Sequence, residues 1–436
     1  MLQFHSPRRV AWVQVMLATP QLIAEALQPE RLAEVLPRCL SEVPLYQRPG
    51  AASLCPIDST LAVEGLRRLP FITKEDIRRD FPRNFLGERA DLDTLLDQET
   101  IELEHTSGTS EERTALLLPR HWWADQEARA LRLNQYVARL LAENPQARRV
   151  TLSSPVCSSD ICYTSVPARA DRIIGHTLFL SLSRYPFLWN ESDLERMAAE
   201  ATEWQPQFLD VDPVYGAVFA RYCESHGVRL PSLKFILSSY EFLSVNHRRI
   251  LQRAFNVPVF DLYGSTETGH LLMEDEHGQM QPSLETAFLE VIDRDEGGIG
   301  ELVVTTLTNQ FMPLIRYRIG DLVERREEPY GTRYILHGRA GDAFSTAHGR
   351  RLTIRQIDQC FAALPGVIHY QLIQRSDQCQ LRFVPENPGP SADQLAQLQQ
   401  QLTGLLELAA PVSLQPTDLL VSEGSGKFRL GYPASK

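Results

Sequence analysis

What most limits the fold of this chain is a hydrophobic rhythm that changes twice along its length. From residue 104 to 310, apolar runs of strand length (Val150 to Leu152, Phe208 to Val211, Phe235 to Leu237, Val259 to Leu262) alternate with helical patterns at 191 to 202 and 245 to 254. Parallel strands need long crossovers and these helices can supply them, so an α/β body on a mostly parallel sheet is predicted. From 299 to 337 the pattern turns β-rich, with strands predicted at Gly300 to Thr306, Asp321 to Arg325 and Thr332 to Leu336 in a compact subdomain. After Gly338 come two strands, His369 to Gln374 and Gln380 to Val384, and a helix from Ala392 to about Leu406, which predict a small α+β unit. Residues 21 to 40 carry Leu22, Ile23, Leu27, Leu32, Val35, Leu36 and Leu40 at helical spacing, and Pro29 and Pro37 should divide that stretch into short helices.

A chain of 436 residues exceeds one ordinary core, so two or three domains are expected. With 43% apolar and 23% charged residues it can bury a substantial interior. The formal charge of -11 opposes binding to nucleic acid or anionic lipid, leaving a small-molecule substrate as the expectation. Seven scattered cysteines without a C-x-x-C pair fit reduced thiols in a cytoplasm. Cys157, Cys162 and His176 would make three ligands of a zinc site with no fourth in view, so buried structural cysteines are expected instead. Arg8 and Arg9 before Val10 to Ala18 imitate a signal peptide, but Gln14 and Pro20 interrupt the pattern and leave an amphipathic segment.

Five short segments can carry chemistry, each with an ordinary reading beside it. Thr106-Ser107-Gly108-Thr109-Ser110 can aim hydroxyls and backbone N–H groups at phosphates, or be a polar turn. It lacks the Lys of a Walker loop. In Asp261 to Gly269, Tyr263 can stack on a purine, Thr266 can face a phosphate and Glu267 can hold Mg²⁺, or Glu267 can simply begin a helix. Asp321, after Arg316 and Arg318, offers two acceptor oxygens to a ribose, or a surface ion pair. Gly338-Arg339-Ala340-Gly341-Asp342 lies where the β-rich part gives way to the tail and suits a hinge or a plain turn. Lys427, in Gly424 to Arg429, can enter a site as a mobile cation or stay solvated near the chain end.

In order and spacing together, these segments resemble the acyl-adenylate-forming superfamily. Leu69 to Ile77 and Thr305 to Arg318 point to its phenylacetate-CoA ligase-like branch, and the resemblance runs from about residue 25 to 431. It implies a large adenylation domain, residues 1–338, and a mobile lid, residues 339–436. It also implies ATP-dependent activation of a small carboxylic acid as acyl-AMP and transfer of the acyl group to a thiol, from CoA or from the phosphopantetheine of an acyl or peptidyl carrier protein. A homodimer is left open, and a degenerate scaffold homologue is the other reading. Carried over by position, Thr106 to Ser110 would hold phosphates, Tyr263 and Gly264 would meet adenine, Glu267 would ligate Mg²⁺ beside Thr266, Asp321 would bind ribose, and Arg339 would fix the nucleotide. Lys427 would bridge carboxylate and α-phosphate, and Gly341 and Asp342 would form the pivot. Glu241 matches an acidic residue of the nucleotide site, although bulky Tyr240 and Phe242 flank it. Asp160, Tyr163, Tyr215, Ser239 and Tyr240 are candidate acyl-pocket residues, and their aromatic content favours an aryl or arylacetic acid. Glu111 and Glu112 depart from the family pattern beside the phosphate loop, and Arg113 is expected to compensate.

Overall fold

The computed structural model describes residues 20–47, 59–88, 90–106, 113–155, 168–346, 348–375, 378–424 and 426–434. Strands β1 (Ile101–His105) and β2 (Ala115–Pro119) form an antiparallel hairpin. Among the described residues, twelve further strands share one sheet: β3 (Arg149–Leu152), β4 (Ile173–Ile174), β5 (Thr177–Phe179), β6 (Phe208–Val211), β7 (Phe235–Ser238), β8 (Val259–Ser265), β9 (Gly269–Glu274), β10 (Met280–Pro282), β11 (Ala287–Ile292), β12 (Ile299–Thr306), β13 (Tyr317–Glu328) and β14 (Gly331–Arg339). Their order is β11-β12-β13-β14-β10-β9-β8-β7-β6-β3-β5-β4. The helices used below are α1 (Pro20–Glu42), α2 (Lys74–Arg78), α3 (Trp122–Leu131), α4 (Glu191–Trp204), α5 (Pro213–Ser225), α6 (Val245–Phe255), α7 (Ile354–Asp358) and α8 (Ala392–Leu405).

The α/β expectation is met, with one change. Parallel pairing is confined to β5-β3-β6-β7-β8, while β8 through β11 pair antiparallel, so the sheet is mixed and the β-rich part continues it instead of standing apart. Strands β9 and β10 make that join, β10 pairing with β14, and the short run of β10 gives a weaker strand signal than the buried parallel strands. The parallel strands are buried on both faces, as their unbroken apolar runs require.

Pro29 and Pro37 do not divide the first helix; both lie inside α1. Each internal proline costs about 3 kcal/mol, whereas full burial of an aliphatic side chain contributes about 2 kcal/mol. Leu32, Leu36, Cys39 and Leu40 are buried along one face, and the Gln28 amide donates to the carbonyls of Leu284 and Ala287 at 3.1 and 2.9 Å. Tertiary packing therefore outweighs the two local defects.

The C-terminal part adds a small hairpin, β15 (Phe344–Ser345) with β16 (Arg351–Leu352), and a four-stranded sheet ordered β19-β18-β17-β20. The latter comprises β17 (Val367–Arg375), β18 (Gln378–Pro385), β19 (Ser413–Pro416) and β20 (Gly431–Tyr432). It encloses its own core with α7 and α8 around Phe361, Tyr370, Leu381 and Leu402. Ile368, Val384, Leu420 and Phe428 instead join the core of the parallel half, so this unit is docked on the body. No helix among the described residues is long and apolar enough to cross a membrane.

Candidate active site

Strand β8 is where the sheet changes character, with parallel β7 on one side and antiparallel β9 on the other. Such switch points open a crevice beyond the strand ends. The register slips between Tyr263 and Gly264, and a Cβ on Gly264 would lie 2.2 Å from the Gly269 carbonyl oxygen, so only glycine permits this turn. A cavity of about 700 Å³ opens there. It is lined by Thr106, Tyr240, Glu241, the run Tyr263 to Glu267, Asp321, Arg339, Gly341, Asp342 and Lys427, which come from distant parts of the sequence.

At one end, Glu267 is buried and its Oε1 takes the Lys74 ammonium of α2 at 2.9 Å and the Tyr317 hydroxyl at 3.2 Å. Burial alone would push this carboxyl up; Lys74 reverses that and holds it below the usual carboxylate range. A hard, ionised carboxylate oxygen on a phosphate-sized cleft suits Mg²⁺, which takes one or two carboxylates and completes its shell with phosphate and water. Beside it, Arg78 Nε donates to Thr114 Oγ1 at 2.8 Å, and the Thr114 backbone N–H donates to Thr106 Oγ1 at 3.1 Å. Arg78 lines the cavity, whereas Arg113 is exposed and is not among the described lining residues. Ser107 to Glu112, Asp160 and Tyr163 lie outside the described residues, as do Cys157 and Cys162 of the zinc reading.

At the other end, Tyr263 and Arg339 converge on Asp321. The Tyr263 hydroxyl donates to Oδ2 at 2.7 Å and Arg339 Nε to Oδ1 at 3.1 Å. Each carboxylate oxygen retains a second acceptor direction, so Asp321 can still receive a diol. Gly341 needs no positive φ here and a Cβ would meet nothing within 4 Å, whereas Gly338 has φ +90° and packs on Ile354. The pivot turn is tied by Asp342 Oδ1, which accepts Arg429 Nη2 at 2.5 Å.

Lys427 reaches the cavity because the backbone on both sides of it is held. The Phe428 N–H donates to Glu241 Oε1 at 2.6 Å, and the Gly426 carbonyl accepts the Tyr215 hydroxyl at 3.3 Å. Tyr215 is fully buried against Trp189 and Phe428, its hydroxyl donates to the Arg184 carbonyl at 2.8 Å as well as to that of Gly426, and it is not among the residues lining the cavity. Asp212, the N-cap of α5, lies buried near Lys427. Burial pushes Asp212 up to about 7; burial and then Asp212 raise Glu241, and Lys427 pulls both back. Two histidines also meet across the seam, His247 on α6 and His369 on β17, with ring nitrogens 3.2 Å apart. Burial keeps both neutral, lowering His247 to about 3 and His369 well below its ordinary value.

Between these groups Ser239, Tyr240 and Glu241 make a γ-turn: the Glu241 N–H donates to the Ser239 carbonyl at 2.9 Å and Tyr240 has φ +74°. That form is rare and strained, costing about 1–3 kcal/mol for a non-glycine residue. It turns Glu241 toward the C-terminal unit and Tyr240 toward β6. There Asp210 accepts the Ser239 hydroxyl at 2.7 Å and the Tyr240 hydroxyl at 3.0 Å, with Arg149 3.8 Å away.

Lys74, Arg78, Asp212, His247 and His369 were not identified from sequence as site residues. Lys74 sits inside the Leu69 to Ile77 segment singled out there, which was the available signal; the others are isolated residues on regular elements.

No family model matches the chain. The phenylacetate-coenzyme A ligase of Thermus thermophilus is 24% identical over 394 residues, covering 85% of this chain and 83% of that enzyme. A 2-hydroxyisobutyryl-CoA ligase solved in its postadenylation state with 2-HIB-AMP superimposes with a TM-score of 0.67 at 18% identity, covering 97% of this chain and 93% of that one. The chain is similar in sequence to phenylacetate-coenzyme A ligases and shares the fold of an acyl-CoA ligase. The match spans 65% of the Pseudomonas putida phenylacetate-coenzyme A ligase, at 24% identity over 68% of this chain. Protein CapK of Staphylococcus aureus is 30% identical over 31% of this chain and 30% of its own length. The same 2-hydroxyisobutyryl-CoA ligase in its thioesterification state, with CoA, superimposes with a TM-score of 0.56.

Proposed function

We propose that this protein activates a small carboxylic acid with ATP as acyl-AMP and passes the acyl group to the thiol of CoA. The observation that carries the reading is the convergence of Glu267, Asp321, Arg339 and Lys427 on one cleft, from the β8–β9 turn, β13, the end of β14 and a C-terminal loop. In the first half-reaction the acid's carboxylate oxygen attacks the α-phosphorus and pyrophosphate departs. Lys427 neutralises charge where carboxylate and α-phosphate meet, an electrostatic task suited to a mobile ammonium. Tyr263 and Asp321 hold adenosine, Arg339 orients Asp321, and Lys74, Arg78 and Thr106 face the departing phosphates. Mg²⁺, held by Glu267, would neutralise phosphate charge when bound. Proximity and exclusion of water do the rest.

In the second half-reaction a thiolate attacks the acyl carbon and AMP leaves. Residues 339–436 act as a lid on residues 1–338 and turn between the two steps, carrying Lys427 out. Support for CoA as acceptor comes from relatives that are named as CoA ligases. The test is incubation with ATP, Mg²⁺ and a panel of acids, with CoA in one arm and a phosphopantetheinylated carrier protein in the other. Acyl-CoA and AMP in equal amounts are expected. Thioester on the carrier alone would overturn the acceptor, and no AMP in either arm would leave a scaffold.

A further inference from the structure

We propose that Tyr240 closes the acyl end of the cleft and restricts the protein to short-chain aliphatic acids, excluding aryl and arylacetic acids. The inference rests on the adenylating function proposed above. Tyr240 lies two residues beyond the carboxyl end of β7, at the rim where ligands of open α/β sheets bind. The nucleotide end of the cleft is marked by Tyr263 and Asp321, the phosphate end by Glu267, and the joining point by Lys427; Tyr240 lies beside Glu241, next to that point.

Three observations show a ring held in place rather than a loose surface side chain. The backbone carries a positive φ of +74° inside a γ-turn, a conformation that a tyrosine adopts only when its surroundings enforce it. The hydroxyl is tied to buried Asp210, whose other oxygen is tied to Ser239. Asp210 in turn lies near Arg149, which is paired with Glu127 at 2.6 Å, so the anchor is part of a charged cluster that cannot easily shift. Among the described lining residues the cavity includes Tyr240 and none of Asp210, Arg149 or Glu127 behind it. The ring is therefore a fixed part of the wall, backed by Asp210, and the room a larger acyl group would need is the room the ring itself occupies. Tyr215, the other described aromatic from which an aryl preference was expected, is spent on holding the C-terminal loop. A glycine at this position would relieve the φ and remove the wall together.

The experiment compares acid-dependent ATP/pyrophosphate exchange for wild type, Tyr240→Gly and Tyr240→Phe with acetic, propionic, benzoic and phenylacetic acids. Wild type is expected to favour the short acids. Tyr240→Gly is expected to raise kcat/KM for the aryl acids relative to propionic acid by about tenfold or more, the scale at which pocket size discriminates. Tyr240→Phe, which keeps the ring, is expected to keep the wild-type order. A wild type that already prefers aryl acids overturns the proposal whether or not the variants fold. So does an unchanged ratio in a folded Tyr240→Gly. Exchange with no acid in any of the three proteins would instead remove the adenylating function on which the proposal rests, and the proposal with it.

Discussion

At the scale of single residues, the cleft is organised by pairs that hold charge ready for a polyanion. Lys74 and Glu267 show this best, because the ammonium keeps a buried carboxylate ionised that burial alone would neutralise. Lys74→Ala should therefore weaken ATP binding, raising its KM about tenfold with a smaller effect on kcat, as steady-state exchange at saturating acid would measure. A fall in kcat alone would instead give Lys74 a role confined to the transition state. The sequence made Glu267, Asp321, Arg339 and Lys427 legible because each sits in a short motif with its own chemistry. Lys74 and Asp212 were not, since a lysine opening a short helix and an aspartate at an N-cap are explained by local structure alone.

At the scale of elements, regular structure was read well wherever a run is buried on both faces, as in β3, β6 and β7. It was misread where packing overrides propensity, as at Pro29 and Pro37 in α1, and the strained turn at Tyr240 carries no sequence signal, because tyrosine rarely adopts a positive φ. The contact between α6 and β17 also escaped notice, because neither His247 nor His369 reveals its partner in sequence. That contact makes stability pH-dependent. A histidine kept neutral by burial has a folded value below its unfolded one, so its contribution is full above about pH 6.5 and is lost as pH falls toward the folded value, about 3 for His247. At pH 5 the loss is about 2 kcal/mol for His247, and that of His369 has the same sign. Between pH 7 and pH 5 the thermal midpoint of wild type should thus fall relative to that of His369→Phe, buried carboxyls such as Asp212, which gain stability over the same range, being common to both proteins. Equal slopes for the two proteins would mean that the pair is not what makes the seam acid-sensitive.

At the scale of the whole molecule, the C-terminal unit holds Lys427 in the cleft through backbone contacts at Gly426 and Phe428, and these must break if the unit turns. Gly426 has φ +85°, and a Cβ there would lie 2.1 Å from Ser154 Oγ. Gly426→Ala should therefore disfavour this docking, slowing formation of acyl-AMP about tenfold or more while sparing thioester formation from supplied acyl-AMP. Equal loss in both half-reactions would mean that the unit does not exchange between two positions. The central claim, that an acid and ATP are joined in this cleft with Lys427 at the reacting centre, is tested most directly by acid-dependent ATP/pyrophosphate exchange in wild type and Lys427→Ala. Exchange that requires an acid and falls by about a hundredfold or more in the variant is the expected result; exchange absent with every acid, or undiminished without Lys427, would contradict it.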